Sequence, residues 1–372
     1  MEKKFGFGLM RMPVKGDNER NVDFEQVCLM ADEFLAGGFT YFDTAYMYHG
    51  GMSEEFLRRA VVERHPRDSF TVADKLPLMP AFITSADMQR RITEEQLKKC
   101  GVDYFDYYLV HNVGEDHYAT AKKFRTFEYM SALKEEGIAK QIGFSFHDSA
   151  ALLDRVLTEH PEVDFVQLQL NYLDWDNAGI QSRLCYETAK KHKKPVVVME
   201  PVKGGTLAKL PAEAEKLLRA LDPNATNASW AIRFAAGLDG VKTVLSGVSN
   251  IAQMRDTISF MRDFTPLTEE EKTAVFRVAD IVNGAVSIPC TGCGYCVDGC
   301  PKHIAIPTYF SLYNAEKIAH NKGFSTQQTY YDNLIKSHGK ASDCIRCKKC
   351  ERSCPQHLDI TGYLKKVAEN FE

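Results

Sequence analysis

The feature that most constrains this chain is an alternation of short strand-like and longer helix-like segments, repeated eight times between residues 5 and 261. Runs rich in β-branched and aromatic residues predict strands at 5–12, 41–45, 70–76, 104–113, 139–146, 165–172, 195–202 and 241–248. Helical periodicity fills the gaps. The stretch 24–36 puts Val27, Met30, Ala31, Phe34 and Leu35 on one stripe and stops at Gly37-Gly38. Ser53, followed by Glu54 and Glu55, opens another helix with acids in its first turn. Further helices are expected near 87–100, 124–136, 150–159, 181–192, 228–237 and 251–261. Eight such units match the size of a (β/α)8 TIM barrel, about 250 residues. A doubly wound open sheet is the rival, but no G-x-G-x-x-G follows the first strand. A helix at 268–282 leads out and Pro289 marks a join, so the barrel is assigned to 1–284 and a second domain to 285–372.

The second domain is defined by cysteine. Eight of the eleven cysteines fall in the last 83 residues. Cys290, Cys293, Cys296 and Cys300 form C-x2-C-x2-C-x3-C followed by Pro301, and Cys344, Cys347, Cys350 and Cys354 repeat it before Pro355. This is the bacterial ferredoxin spacing, in which the fourth cysteine ligates the other cluster. It predicts one 4Fe–4S cluster on Cys290, Cys293, Cys296 and Cys354, and a second on Cys344, Cys347, Cys350 and Cys300. C-x2-C pairs also bind zinc, but two complete repeats with trailing prolines weigh against that. Cys28, Cys100 and Cys185 read as small buried hydrophobes. The 43 residues between the motifs hold helical patterns around 309–320 and 327–337. That segment resembles α-helical ferredoxin modules, so a small, mainly helical ferredoxin-like domain is expected.

Composition narrows the function classes. Forty-six basic against fifty acidic residues leave −4, and no global field draws the chain to nucleic acid or anionic lipid. No run of 18 apolar residues suggests a membrane span, and the first residues lack the apolar stretch of a secretory signal. A cytoplasmic location is expected.

A barrel places chemistry at the carboxyl ends of its strands. Polar residues gather there: Asp43 with Tyr48 five residues on, Lys75, His111 and Asn112, Ser145 and His147, Gln167, Gln169 and Asn171, Glu200 and Lys203. Singly each is weak evidence. Asp, Tyr, Lys and His at successive strand ends are far more specific.

Over roughly 4–264 the sequence resembles the aldo-keto reductases. The resemblance rests on Gly6-Phe7-Gly8-Leu9-Met10-Arg11-Met12-Pro13, on Phe42-Asp43-Thr44-Ala45-Tyr46-Met47-Tyr48, on Lys75, on Val110-His111, on Ile142-Gly143-Phe144-Ser145 and on Val166-Gln167. It implies that Asp43, Tyr48, Lys75 and His111 are the catalytic tetrad of a carbonyl reductase using NADPH or NADH. Tyr48 would give the proton, Lys75 would lower its pKa from about 10, Asp43 would hold Lys75, and His111 would orient the carbonyl. For the cofactor it implies Ser145 and Gln167 at the carboxamide, Gly204 at the phosphates, and Ser246, Gly247, Ser249 and Gln253 in the loop after the last strand. Two departures stand out. Phe146 replaces an asparagine common in the family, a role His147 could fill. Ser246 and Ala252 occupy positions where many members carry basic residues for the 2′-phosphate.

The whole chain resembles the branch in which such a barrel is fused to a two-cluster domain. A nicotinamide moves two electrons together and a 4Fe–4S cluster moves one. The expected function is therefore reduction of a small aldehyde or ketone by a barrel ending near Gly284, with the clusters structural or docking a redox protein. The alternatives are a ferredoxin-driven reductase and an electron-transfer protein.

Overall fold

A computed structural model of the chain describes residues 3–16, 18–284, 287–290, 292, 294–297, 299–319, 324–354 and 356–372. Cys293, Pro355 and the join at 285–286 lie outside the described residues. Eight parallel strands close on themselves: β1 (Phe5–Gly8), β2 (Tyr41–Asp43), β3 (Thr71–Leu76), β4 (Phe105–Val113), β5 (Ala139–Phe146), β6 (Phe165–Gln169), β7 (Val196–Met199) and β8 (Val241–Ser246). β1 pairs with β2 on one side and with β8 on the other, Phe7 opposite Ser246, so no strand edge remains. This is the (β/α)8 barrel that the alternation predicts.

Strand side chains alternate between the barrel interior and the helices outside. Inside, Tyr41, Ala73, Leu109, Phe165, Val197 and Leu245 pack with Tyr107 into a layer that plugs the barrel. Outside, Phe42, Val72, Val110, Phe144, Val166, Val198 and Val244 meet the helices in one continuous core. Gly6 has to be glycine, because a Cβ there would lie 2.8 Å from both Leu245 and Thr243. One pleat step above the interior layer, the next inward positions open at the carboxyl ends.

The helices follow the same logic. Phe24–Ala36 buries Val27, Met30, Ala31 and Phe34, and Gly38 takes the positive φ of 80° that ends it. In Ala150–Glu159 the Ser149 hydroxyl accepts from Leu152 N while Leu152, Leu153, Val156 and Leu157 face the strands. The structure departs from the periodicity in two places. The expected helix at 124–136 is preceded by Glu115–Lys123, and the two are separated by Arg125 at φ 53°. An extra helix, Ala212–Leu221, buries Ala214 and Leu218.

The C-terminal domain is helical, as expected. Ile306–Ile318, Thr326–Leu334 and the unforeseen Ile360–Phe371 share a core of Tyr309, Phe310, Leu312, Tyr331, Leu364, Val367 and Phe371. It docks on the carboxyl end of the barrel. Asn333 Nδ2 donates to His147 O at 2.9 Å, Ser311 Oγ to Asn177 Oδ1 at 2.8 Å, and Lys336 pairs with Asp116 at 3.1 Å. Ile180 of the barrel joins the domain's own core. No described helix is long and apolar enough to cross a membrane.

The docking depends on close approach at Gly179, where a Cβ would lie 2.9 Å from two side-chain atoms of Leu312. Gly179→Val should therefore destabilise the protein by about 1–3 kcal/mol, the usual range for overpacking. Thermal or denaturant unfolding of the full chain checks this; an unchanged midpoint would show that the interface is loose.

Candidate active site

The open end of the barrel holds a cavity of about 290 Å³. Each strand, or the residue directly after it, contributes one inward residue one pleat step above the plug: Gly8, Asp43, Lys75, His111, Ser145, Gln167, Met199 and Gly247. Six sequence-predicted residues thus meet in one place because they share one register.

At its floor Lys75 Nζ donates to Asp43 Oδ1 at 2.6 Å and to Thr44 O at 2.7 Å. Both side chains are essentially inaccessible, 1% and 4% exposed. The lysine backbone is clamped from the other face of β3: its N–H donates to Asp74 Oδ1 at 2.8 Å, and Gln96 Nε2 donates to its carbonyl at 3.1 Å. Burial opposes the ammonium, but Asp43 and Tyr48 outweigh it and hold Lys75 above the ordinary lysine value. Burial likewise raises the Asp43 carboxyl, against the pull of Lys75.

Tyr48 stands over this pair, with Lys75 Nζ 4.9 Å from its ring centre and the His111 ring edge-on at 6.0 Å. Its turn is fixed by the adjacent His49. His49 is buried at φ 52°; its Nε2 accepts from Met12 N at 3.2 Å and its Nδ1 donates to Glu19 O at 2.6 Å. One expectation is corrected here. Lys75 does pull the Tyr48 pKa down, but burial is the larger effect and Asp43 adds to it, so the phenol is held above its ordinary value. Burial, then Lys75, pushes His111 well below the ordinary histidine value, so its imidazole is neutral.

The candidate cofactor residues divide between two adjoining cavities. Ser145 and Gln167 line the first, each 2% exposed. Ser145 Oγ accepts from Asn112 N at 2.8 Å, while Gln167 Oε1 is buried without a partner, an acceptor suited to the N–H of an amide. Gly204, Ser246, Gly247, Ser249 and Gln253 line the second cavity, about 190 Å³. Gly204 and Gly205 both take positive φ, 61° and 102°, and a Cβ on Gly205 would meet nothing within 4 Å, leaving the backbone open to a ligand. Gln253 Oε1 accepts from Ser249 N at 2.8 Å and stiffens the loop. Arg255 is turned away onto Glu33 at 2.6 Å, and Asp256 faces the second cavity. The two cavities share Arg11 and Glu200, which pair at 3.2 Å across the mouth.

Other strand-end candidates do different work. Phe146 is packed in the outer core, whereas His147 lines the first cavity, neutral because burial lowers it to about 4. Gln169, Asn171 and Lys203 form a buried knot on Asp174, Gln169 Nε2 and Asn171 Nδ2 donating to its Oδ2 at 3.0 and 2.9 Å. The sequence did not reveal the methionines Met10, Met47, Met79 and Met199, nor Phe324 and Thr326, which reach the cavity from the C-terminal domain. All other residues lining that cavity lie within 1–284.

In the C-terminal domain the cysteines are sorted across the motifs. Cys290, Cys296 and Cys354 line one small cavity, and Cys300, Cys344, Cys347 and Cys350 line another. Cys293 is outside the described residues. Four thiols around the second space, and three described ones around the first, suit iron–sulfur clusters, and Gly292 N donating to Cys290 Sγ at 3.5 Å suits a thiolate.

Fold and site together define a barrel oxidoreductase joined to an iron–sulfur module. The chain belongs to the aldo/keto reductase family: residues 4–279 match the aldo/keto reductase family model, and residues 289–359 match that of a 4Fe-4S dicluster domain, which indicates two clusters. An aldo-keto reductase of Mycolicibacterium smegmatis is 34% identical over 110 residues, 29% of this chain and 36% of that protein, so the chain spans little over a third of this relative's length. YqkF, an uncharacterized oxidoreductase of Bacillus subtilis, is 23% identical over 280 residues, 66% of this chain and 84% of that one. Among solved structures, the holo form of a Bacillus halodurans aldo-keto reductase superposes with a TM-score of 0.60 at 24% identity, covering 74% of this chain and 91% of that one. A Klebsiella pneumoniae aldo-keto reductase in complex with NADPH gives 0.56 at 20% identity, covering 75% and 95%. At these identities the likeness is one of fold.

Crossed ligation has a measurable consequence. Anaerobically purified protein should contain about eight iron and eight labile sulfide per chain. Cys300→Ser should damage the cluster on Cys344, Cys347 and Cys350 more than the one beside it in sequence, as read by electron paramagnetic resonance of the reduced protein. Damage confined to the sequence-adjacent cluster would refute the crossing, and two zinc ions without sulfide would refute the clusters.

Proposed function

We propose that this chain reduces an aldehyde or ketone to an alcohol with NADH or NADPH, Tyr48 delivering the proton. The reading rests chiefly on the buried Asp43–Lys75 pair beneath Tyr48, with His111 facing the same cavity. Carbonyl reduction needs a hydride at carbon and a proton at oxygen. A bound nicotinamide supplies the hydride. Gln167 Oε1 and the Ser145 hydroxyl, which line the first cavity, would hold its amide, and the glycine loop with Ser246, Gly247, Ser249 and Gln253 would receive the nucleotide end.

The acid is Tyr48. Burial keeps its phenol protonated at neutral pH, the form a reduction needs. As the carbonyl oxygen gains negative charge, the Tyr48 O–H bond breaks and a new O–H bond forms on the product. The tyrosinate left behind faces the Lys75 ammonium, which stabilises it until solvent returns a proton. Asp43 keeps Lys75 charged and in place. Neutral His111 donates a ring N–H to the carbonyl oxygen, aiming it at Tyr48 without competing as an acid. The two clusters carry single electrons, and in this reading the hydride chemistry is complete without them.

Tyr48→Phe should reduce carbonyl turnover by about 10²–10⁴ while nicotinamide affinity changes little. Steady-state kinetics with fluorescence titration of the reduced nicotinamide separates the two; near-normal turnover would make Tyr48 a packing residue.

The second cavity offers a finer test. Of its two acidic residues Glu200 is paired with Arg11, and Asp256 would repel a 2′-phosphate held there, while Arg255 is engaged by Glu33. Asp256→Asn should tighten NADPH several-fold relative to NADH, consistent with removing one like charge at about ε 20. An unchanged ratio of dissociation constants would place the 2′-phosphate elsewhere.

A further inference from the structure

The cavity at the mouth of the barrel is closed on one side by the C-terminal domain, through Phe324 and Thr326. We infer that this segment is the wall that selects the substrate, and that it selects uncharged carbonyl compounds bearing an apolar substituent. The inference deepens the reductase reading and rests on it.

Three observations carry it. The first is that the wall is built and anchored. Phe324 lies two residues before the helix Thr326–Leu334, whose first turn is capped by Ser325 accepting from Gln328 N at 3.0 Å. Ser325 Oγ also donates to Glu316 Oε2 at 2.6 Å, which ties the segment to the neighbouring helix. Further along, Tyr330 sets its ring edge-on to His147 at 5.8 Å, and Asn333 bonds the His147 carbonyl. A wall held at both ends defines a shape.

Second, Phe324 is half exposed, 49%, although it lies at the cavity. A large ring left open to water beside a cavity gains from a ligand that covers it. Across the same space Met10, Met47 and Met79 supply flexible, polarizable side chains that adapt to varied apolar shapes.

Third, the charges in the cavity exclude an anion. Lys75 is committed to Asp43 and Arg11 to Glu200. Glu19, an exposed residue, also lines the cavity, and no ion pair among the described residues includes it. A carboxylate-bearing carbonyl compound would find a carboxylate and no uncommitted cation.

The test uses the full-length, cluster-loaded protein with propanal, 3-phenylpropanal and succinic semialdehyde as probes. Wild type should show the highest kcat/KM for 3-phenylpropanal and the lowest for succinic semialdehyde. Phe324→Ala should cut the preference for 3-phenylpropanal over propanal about tenfold, mainly through KM, and Phe324→Leu should restore part of it. Hydrogen exchange of residues 324–334, with reduced nicotinamide and the non-reacting alcohol 3-phenylpropanol, reads the wall without turnover. Protection there with no turnover of any aldehyde overturns the reductase reading and keeps the wall. Turnover with an unchanged preference in Phe324→Ala, or with succinic semialdehyde preferred, overturns the wall. Neither turnover nor protection overturns both.

Discussion

The site depends on one buried ion pair, Lys75 with Asp43. Two charges taken from water need each other: removing one partner of such a pair costs about 3–5 kcal/mol, because the other charge is left uncompensated. Here the pair is also satisfied by backbone, with Thr44 O taking a second ammonium proton. Thr44 is fixed in turn, its hydroxyl donating to Ser53 Oγ at 2.8 Å at the start of the next helix. Asp43 and Lys75 belong to strands paired in register, Tyr41 beside Thr71 and Asp43 beside Ala73, so the ladder itself sets the separation of the two charges. In the proposed reaction a cation so held would act on Tyr48 without reorganising, which is what electrostatic stabilisation requires.

Much of this was legible in the sequence because it is periodic. All eight strands lie where β-branched and aromatic runs predict them, and Asp43, Lys75, His111, Ser145 and Gln167 converge because each sits one pleat step above the barrel's interior layer. Cys300 of the first motif lines one small cavity with Cys344, Cys347 and Cys350 of the second. Less legible were properties set by what a residue touches. The shift at Tyr48 follows from a contest between burial and a nearby ammonium, and a sequence names the ammonium but not the burial. His49 looks like any histidine beside a turn until Met12 N and Glu19 O are seen to claim both its nitrogens.

Contacts between the two domains were hidden for a related reason. Gly114 and Gly179 read as ordinary loop glycines, yet a Cβ on the first would lie 2.6 Å from Asn333 and on the second 2.9 Å from Leu312. These approaches join residues more than 100 positions apart, and no local pattern reports them. Thr326 and Phe324 belong, by sequence, to the linker between two cysteine motifs. Only the docking of the helix Thr326–Leu334 against His147 brings them to the cavity.

That docking bears on why a barrel proposed to transfer hydride carries one-electron centres at all. Cys300 and Cys344 bracket the segment 301–343 and line the same cavity, so a cluster there would tie the two ends of that segment together. Closing a loop of this length in the unfolded chain is worth about 4 kcal/mol on the chain-entropy estimate used for cross-links. The closed loop carries Phe324 and the helix that leans on the barrel. A cluster can thus shape the substrate cavity through the chain it pins, with no electron crossing to the site. On the proposed reading, the mismatch between two-electron and one-electron carriers is no objection to the fusion, because a cluster would act on the cavity through Phe324 rather than through a shared redox step.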